Sequence, residues 1–368
     1  MALGLWGTVG AAGAAVGPLV GGALLEHFWW GSVFLINVPV MAVVIPVAFV
    51  LLPRVEQTTP GKWAIGQALI LIAGIISVVY AIKAGVGGTQ SLPVTLLVML
   101  VGLALLTLFV RQQLRSAEPM LDLSLFGRPV LLAGLIMAVV AIGALAGVEL
   151  TLAMELQYVL DKSPLQAGIF MIPIMAAAAV GGPLAGYLSN RFGLRWVASL
   201  ALLVSAGALG FVAFADLHEP GLGVPAVLAV LGLALSIGLT ASSIAVMGAV
   251  EASKGGAAGA LEATAYELGT GLGITFFGVF MSSVYGHTIA LPGELAAPLA
   301  ERAARSIGDS YLVAAELSAE QASVLIEAAK AAFSSTHSVL LSTSAVVIGV
   351  LALVVFRLFK GYRGQSAH

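Results

Sequence analysis

Gly13-Ala14-Ala15-Val16-Gly17-Pro18-Leu19-Val20-Gly21-Gly22 lies inside an apolar run long enough to cross a bilayer. Gly13, Gly17 and Gly21, four apart and with Gly22 beside them, strip the side chains from one helix face. A second helix can then approach at backbone distance, which is how helices associate in lipid, where no hydrophobic force draws them together. Pro18 removes one intrahelical hydrogen bond and bends the helix, which lipid tolerates only where protein covers the freed carbonyl. A close-packed, bent helix suits an interface between parts that move. The pattern fits equally well a glycine-rich packing helix with no moving role.

Outward from this stretch the composition stays that of a membrane protein. The chain has 368 residues, 60 % of them hydrophobic and 9 % charged, with a mean hydropathy of +1.07. A soluble domain would carry roughly 25 % charged residues. The apolar residues come in stretches longer than a soluble core can absorb, so lipid is the solvent. Cysteine is absent, which excludes a disulfide scaffold and a thiolate-bound metal. A net charge of −2 with scattered basic residues gives no nucleic-acid footprint. The expected fold is an all-α polytopic membrane protein.

Ten apolar segments can be placed, near 3–25, 32–52, 64–82, 93–110, 130–157, 167–188, 196–215, 224–248, 257–284 and 335–357. Each has about the length a hydrocarbon crossing requires. Most connections are short. The exception, 285–334, holds much of the remaining charge and predicts one or two amphipathic surface helices. With the N-terminus cytoplasmic, the inner side holds 11 of the 16 Lys and Arg, and the short loops alone divide 11 to 2. The positive-inside rule then puts both termini in the cytoplasm and 285–334 outside. Trp29, Trp30 and Trp63 sit at predicted segment ends and read as interface anchors.

Two further constellations stand out. The first is Gly186-Tyr187-Leu188-Ser189-Asn190-Arg191-Phe192-Gly193-Leu194-Arg195. Gly186 and Gly193 would permit a tight turn between two helices, Asn190 could cap or accept, and Arg191 and Arg195 would bridge helix ends or merely mark the inner side. The second is a set of carboxylates within apolar segments: Glu149 and Glu155 in the fifth, Glu262 and Glu267 in the ninth. A carboxylate in lipid must face a cavity, a partner or the bundle interior, and such a group can take up a proton or attract a cation. At ~1.5 Å per residue Glu267 falls near mid-membrane and Glu262 about 8 Å shallower. Glu149 lies in the outer half, and a solvated helix end explains Glu155 as well as function does. Gly269 and Gly273 can host a neighbouring helix. Phe170, Tyr187, Tyr266, Phe276 and Phe277, with Trp6, either line a cavity for planar ligands or face lipid. The five histidines fall in loops or near segment ends, without metal-ligand spacing.

The first stretch resembles the antiporter motif of the fifth helix of major facilitator drug/proton antiporters. The Gly186–Arg195 stretch resembles the loop motif in the second half of that superfamily, with Asn190 where Asp is usual. Leu261-Glu262-Ala263-Thr264-Ala265-Tyr266-Glu267-Leu268-Gly269-Thr270-Gly271-Leu272-Gly273 resembles the penultimate helix of the fourteen-helix branch of QacA-like and methyl-viologen-resistance exporters. That likeness implies a major facilitator fold that is N-terminally truncated, lacking the first four helices. Residues 1–52 would be a two-helix remnant of the N-terminal bundle, 53–129 the central extra helix pair with flanking cytoplasmic loops, and 130–368 the C-terminal six-helix bundle.

The function so implied is proton-coupled efflux of hydrophobic, cationic drugs or toxic compounds across a bacterial cytoplasmic membrane. It needs the proton gradient and no cofactor or metal, no nucleic acid, and works as a monomer if full length. Export of a metabolite, lipid or siderophore is the alternative, as is a non-transporting fragment of such a carrier. A polytopic enzyme would need a clustered catalytic set at one membrane face, and the sequence offers none.

Overall fold

The computed structural model describes residues 17–51, 64–87, 90–116, 119, 123–219, 221–251, 255–293 and 295–360. Within them every regular element is helical. The segments are α1 (17–27), α2 (Ser32–Leu51), α3 (Ile65–Gly87), α4 (Leu92–Arg115) and α5 (Pro129–Met154). They continue with α6 (Pro164–Phe170), α7 (Ile172–Phe192), α8 (Leu194–Val212), α9 (Gly223–Gly248) and α10 (Gly255–Thr288). The last three are α11 (Ala297–Ala303), α12 (Ile307–Ala314) and α13 (Ala319–Leu358). Nine of the described helices are long and apolar enough to cross a membrane. The expected segment 3–25 is described only from Gly17 onward.

Small residues decide how these helices meet, as expected where lipid gives no hydrophobic drive to associate. A Cβ on Gly232 of α9 would collide with the Ile174 carbonyl of α7. One on Gly181 would lie 2.5 Å from the Ser236 Cβ, so α7 and α9 also run at near-backbone distance there. Gly134 of α5 leaves room for Ala245 and Val246 of α9. The fully buried side chains Met137, Leu152, Ile174, Leu202, Leu209 and Leu228 fill the space between these helices. α5, α7, α8, α9, α10 and α13 thus enclose one continuous core.

α3 and α4 pair with each other. Gly74 admits the Leu106 side chain, and Gly102 admits Val78 and Ser77. Gln113 Nε2 donates to Gln67 Oε1 at 2.7 Å, a side-chain hydrogen bond between the two helices. Where α3 of this pair meets α10 of the bundle, an apolar space of about 490 Å³ is lined by Val79 and Ile82 of α3 and by Leu272, Phe276 and Phe280 of α10. α2 has no buried residue in its apolar window.

The last helix starts earlier than the apolar pattern places it. α13 runs 40 residues from an N-cap at Ser318, whose Oγ accepts from the Gln321 amide. The segment between the two long helices is therefore 289–318, with α11 and α12 in it. Leu291, Leu295, Leu299 and Val313 of this segment form a small core with Leu325 of α13. His337 also departs from expectation. Expected near the end of a segment, it lies in the middle of α13 and is 3 % exposed. The run Ser334-Ser335-Thr336-His337-Ser338 reads as polar in sequence. The Thr336 hydroxyl, however, bonds back to the Ala332 carbonyl of its own helix, so polarity there does not require water.

Candidate functional site

The helix carrying two of the four membrane carboxylates is held by glycine contacts. Gly143 of α5 sits against α10, where an added Cβ would lie 2.8 Å from the Gly269 carbonyl oxygen. On Gly273 an added Cβ would collide with the Gly143 backbone. The expected close approach at Gly269 and Gly273 is therefore made, and its partner is α5. Beside it an apolar cavity of about 190 Å³ is lined by Gly143, Gly269, Gly273, Phe276, Phe277 and Ser344, so α13 supplies its third wall.

Glu262 and Glu267 are five positions apart, about 140° around a helix, and cannot share a face. Glu262 points inward: it is 6 % exposed, and Tyr266 Oη donates to its Oε1 at 2.7 Å. Glu267 is exposed on the other side of α10. Glu149 is half-buried on α5. Of the two sequence readings of Glu155, the solvated helix end does not hold: the residue is 5 % exposed, with Ser334 Oγ donating to its Oε1 at 2.6 Å. The long α13 reaches past the expected membrane edge and covers it. The structure does not gather the four carboxylates into one cluster: Glu155 binds α13, and Glu262 binds its own helix. Among the described residues no Lys or Arg forms an ion pair with any of them.

The glycine-proline motif meets α6. Gly13 lies outside the described residues. An added Cβ on Gly22 would stand 2.8 Å from Leu165 Cα and 2.9 Å from the Pro164 carbonyl oxygen. One on Gly168 would stand 2.9 Å from the Pro18 carbonyl oxygen. Gly17 and Gly21 face open space. The close contact thus falls on Gly22 and not on the four-apart stripe, because one residue turns the helix by about 100°. A capping box formed by Ser163 and Gln166 fixes the start of α6 opposite this contact.

At the Arg191 loop a single residue, Gly193, joins α7 to α8, with φ +84°. That conformation favours glycine. Gly186 lies within α7 and takes no part in the turn. Asn190 is exposed, and α8 has no side-chain cap. Arg191 donates to Tyr187 Oη at 3.2 Å on its own helix. Arg195 does bridge helix ends: its Nε donates to the Phe356 carbonyl of α13 at 2.8 Å. Arg128, one of the 11 basic residues counted on the inner side, makes a similar contact from the start of α5 to the Ala249 carbonyl at the end of α9. Both arginines lie where the helix dipole favours a cation.

The opposite end of the bundle is tied by different groups. Asp161 pairs with Lys330 of α13. Tyr311 Oη donates to the Tyr158 carbonyl at 2.7 Å, and Tyr285 and Ser310 share a hydrogen bond of 2.7 Å. Burial is the main cause that raises the pKa of the Tyr311 phenol, which extends the range over which it stays a donor further into alkaline pH. These partners are 25 to 169 positions apart in sequence, so no local pattern signalled them. No group of His, Asp or Glu that could hold a metal ion occurs among the described residues.

Helices packed on small residues, carboxylates inside apolar helices and arginine ties between helix ends are features that fit a membrane carrier. The chain belongs to the Major Facilitator Superfamily, whose family model matches residues 1–273, and within it to the drug/proton antiporter branch. It is 42 % identical over 364 residues to the methyl viologen resistance protein SmvA of Salmonella typhimurium, covering 99 % of this chain and 74 % of that protein. It is 33 % identical over 356 residues to the multidrug efflux pump LfrA of Mycolicibacterium smegmatis, covering 96 % of this chain and 69 % of the pump. It is 28 % identical over 289 residues to the tetracenomycin C resistance and export protein of Streptomyces glaucescens, covering 78 % and 53 %.

Proposed function

We propose that the chain serves proton-coupled efflux of hydrophobic, cationic compounds across the inner membrane of a bacterium. The observation that carries this is the likeness to a methyl viologen resistance protein along 99 % of the chain, which includes the α10 carboxylates. Glu267 is the first candidate for exchanging a proton against cargo, because it is exposed on an apolar helix with no basic partner. Glu149 follows on the facing helix α5. Glu262 would report on the same helix through Tyr266.

On this reading residues 1–52 belong to an N-terminal bundle, 53–129 form the extra helix pair, and 130–368 form the C-terminal bundle with an outer segment between α10 and α13. The Gly22–Leu165 contact would close the bundles on one side, and the Arg195 and Arg128 ties would hold the cytoplasmic ends. Both termini would be cytoplasmic.

The test is uptake of a lipophilic dication into inverted membrane vesicles holding the 368-residue chain, driven by an acid-inside pH gradient. Uptake that a protonophore abolishes and Glu267→Gln reduces at least tenfold is the expected result. Uptake no greater than in control vesicles would overturn this reading. It would favour the second one, a portion of a carrier that does not transport by itself. The second reading draws on the fact that the chain spans 74 % of the SmvA length.

A further inference from the structure

Glu155 sits at the end of α5, where that helix meets α12 and α13. α5 leaves α geometry there and continues as a π turn, Glu155–Val159. Such turns are frequent at functional sites. Glu155 is almost fully buried, yet only Oε1 has a donor, the Ser334 hydroxyl; Oε2 is buried without a hydrogen-bond partner. Ser334 in turn lines an open pocket of about 410 Å³, together with Asp161, His218 and Lys330. Asp161 holds φ +52°, a conformation that side-chain-bearing residues rarely adopt, and from there pairs with Lys330.

Around Glu155, α13 carries Lys330, paired with Asp161, and His337 three positions beyond Ser334, its two ring nitrogens buried without partners. The 213–222 connection presents His218, which interacts electrostatically with Glu155 and lies 3.5 Å from Asp216. α12 presents Tyr311, already donating to the Tyr158 carbonyl. α6 carries no charged residue. A buried carboxylate with a donor on one oxygen only is poorly compensated as an anion, and a proton on it removes the charge.

We propose that Glu155 binds a proton drawn from extracytoplasmic water through this pocket, at a site distinct from Glu262 and Glu267. A hydronium ion in the pocket gives a proton to the Ser334 hydroxyl and leaves as water, while that hydroxyl passes its own proton to Oε1, so that the carboxyl becomes neutral and Ser334 is unchanged. The inference rests on the proton-coupled reading above for the direction of proton flow, and proton binding itself can be measured without transport.

Membranes holding the 368-residue chain are treated with dicyclohexylcarbodiimide, which modifies protonated carboxyl groups in apolar sites, and the adduct is located by peptide mass spectrometry. The expected result is a Glu155 adduct at pH 6 that falls at least fivefold by pH 9. The chain has no cysteine, so Ser334→Cys can be probed with a membrane-impermeant cationic methanethiosulfonate. It should react from the extracytoplasmic side, and the attached cation should suppress the Glu155 adduct. If Ser334→Cys does not accumulate, Lys330→Cys reports on the same pocket. A Glu155 adduct that is absent at every pH, or independent of pH, would overturn the proposal. So would pocket cysteines that react only from the cytoplasmic side. An adduct with the expected pH dependence but no gradient-driven transport would uphold the Glu155 site and count against the carrier reading.

Discussion

The guanidinium carbon of Arg195 lies 3.7 Å from the ring centre of Phe356, while its Nε donates to the carbonyl oxygen of that same residue. One arginine at the start of α8 therefore grips both the side chain and the backbone at the end of α13. Trp196 extends the contact, edge-on to the Phe356 ring at 4.9 Å. A charged hydrogen bond of this kind contributes about 1.5–3 kcal/mol. A stacked cation adds about 0.5–1 kcal/mol.

Arg195→Ala should therefore lower the thermal unfolding temperature of the detergent-purified chain by several degrees. Arg195→Lys should fall between it and the parent, because lysine keeps the charge but lacks the planar fork. The check is a thermal-shift series on all three proteins. Identical midpoints would remove the contact from the stabilising set.

Gly22→Leu should reduce the folded yield severalfold, since even a Cβ would stand 2.8 Å from backbone atoms of α6. Gly17→Leu should be tolerated, because that position faces open space. Fluorescence-detected size exclusion of tagged variants distinguishes the two. The reverse ranking would mean that the four-apart stripe makes the contact after all.

Gly143→Val should be more damaging still. It places a branched side chain where α5 and α10 meet at backbone distance, an overpacking cost of about 1–3 kcal/mol or more. Gly278→Ala, on the same α10 but open to its surroundings, is the matched control and should behave like the parent. Loss of the monodisperse peak for the first and not the second is the expected outcome.

Topology can be read from two exposed positions. Ser323→Cys on α13 should react with an impermeant maleimide added to intact cells, and Asn190→Cys should react only after the cells are opened. Ser310 would be a poor reporter, because it is fully buried and hydrogen-bonded to Tyr285. Labelling of Asn190→Cys in intact cells would invert the orientation drawn from the basic residues.

Tyr266→Phe should separate the two α10 carboxylates. It removes the donor to buried Glu262 at a cost of about 1–3 kcal/mol and leaves exposed Glu267 untouched. In the vesicle assay its effect should be smaller than that of Glu267→Gln, while its loss of thermal stability should be larger. An equal loss of transport would make Glu262 and Glu267 one functional unit.

Composition and segment length by themselves determined an all-helical membrane fold, because runs such as Val38–Leu51 and Leu92–Leu108 have no other solvent than lipid. Spacing also exposed the Gly269/Gly273 contact surface, since a four-residue repeat is a local property of a helix. It could not say that Gly143 was the partner, nor that Gly22, not Gly17, would meet α6, because the rotation of one helix against another depends on both. Nor could it show which carboxylates turn inward. Glu262 and Glu267 look alike in an apolar run; only the packing of α10 on α5 buries one and exposes the other. For Glu155 the sequence left a solvated helix end and a functional role open; α13, extending far beyond its apolar stretch, covers it and removes the first. Contacts such as Ser334 to Glu155, Lys330 to Asp161 and Arg195 to Phe356 join residues more than 150 positions apart. The tertiary structure alone decides them, because no local periodicity encodes which helix ends are brought together.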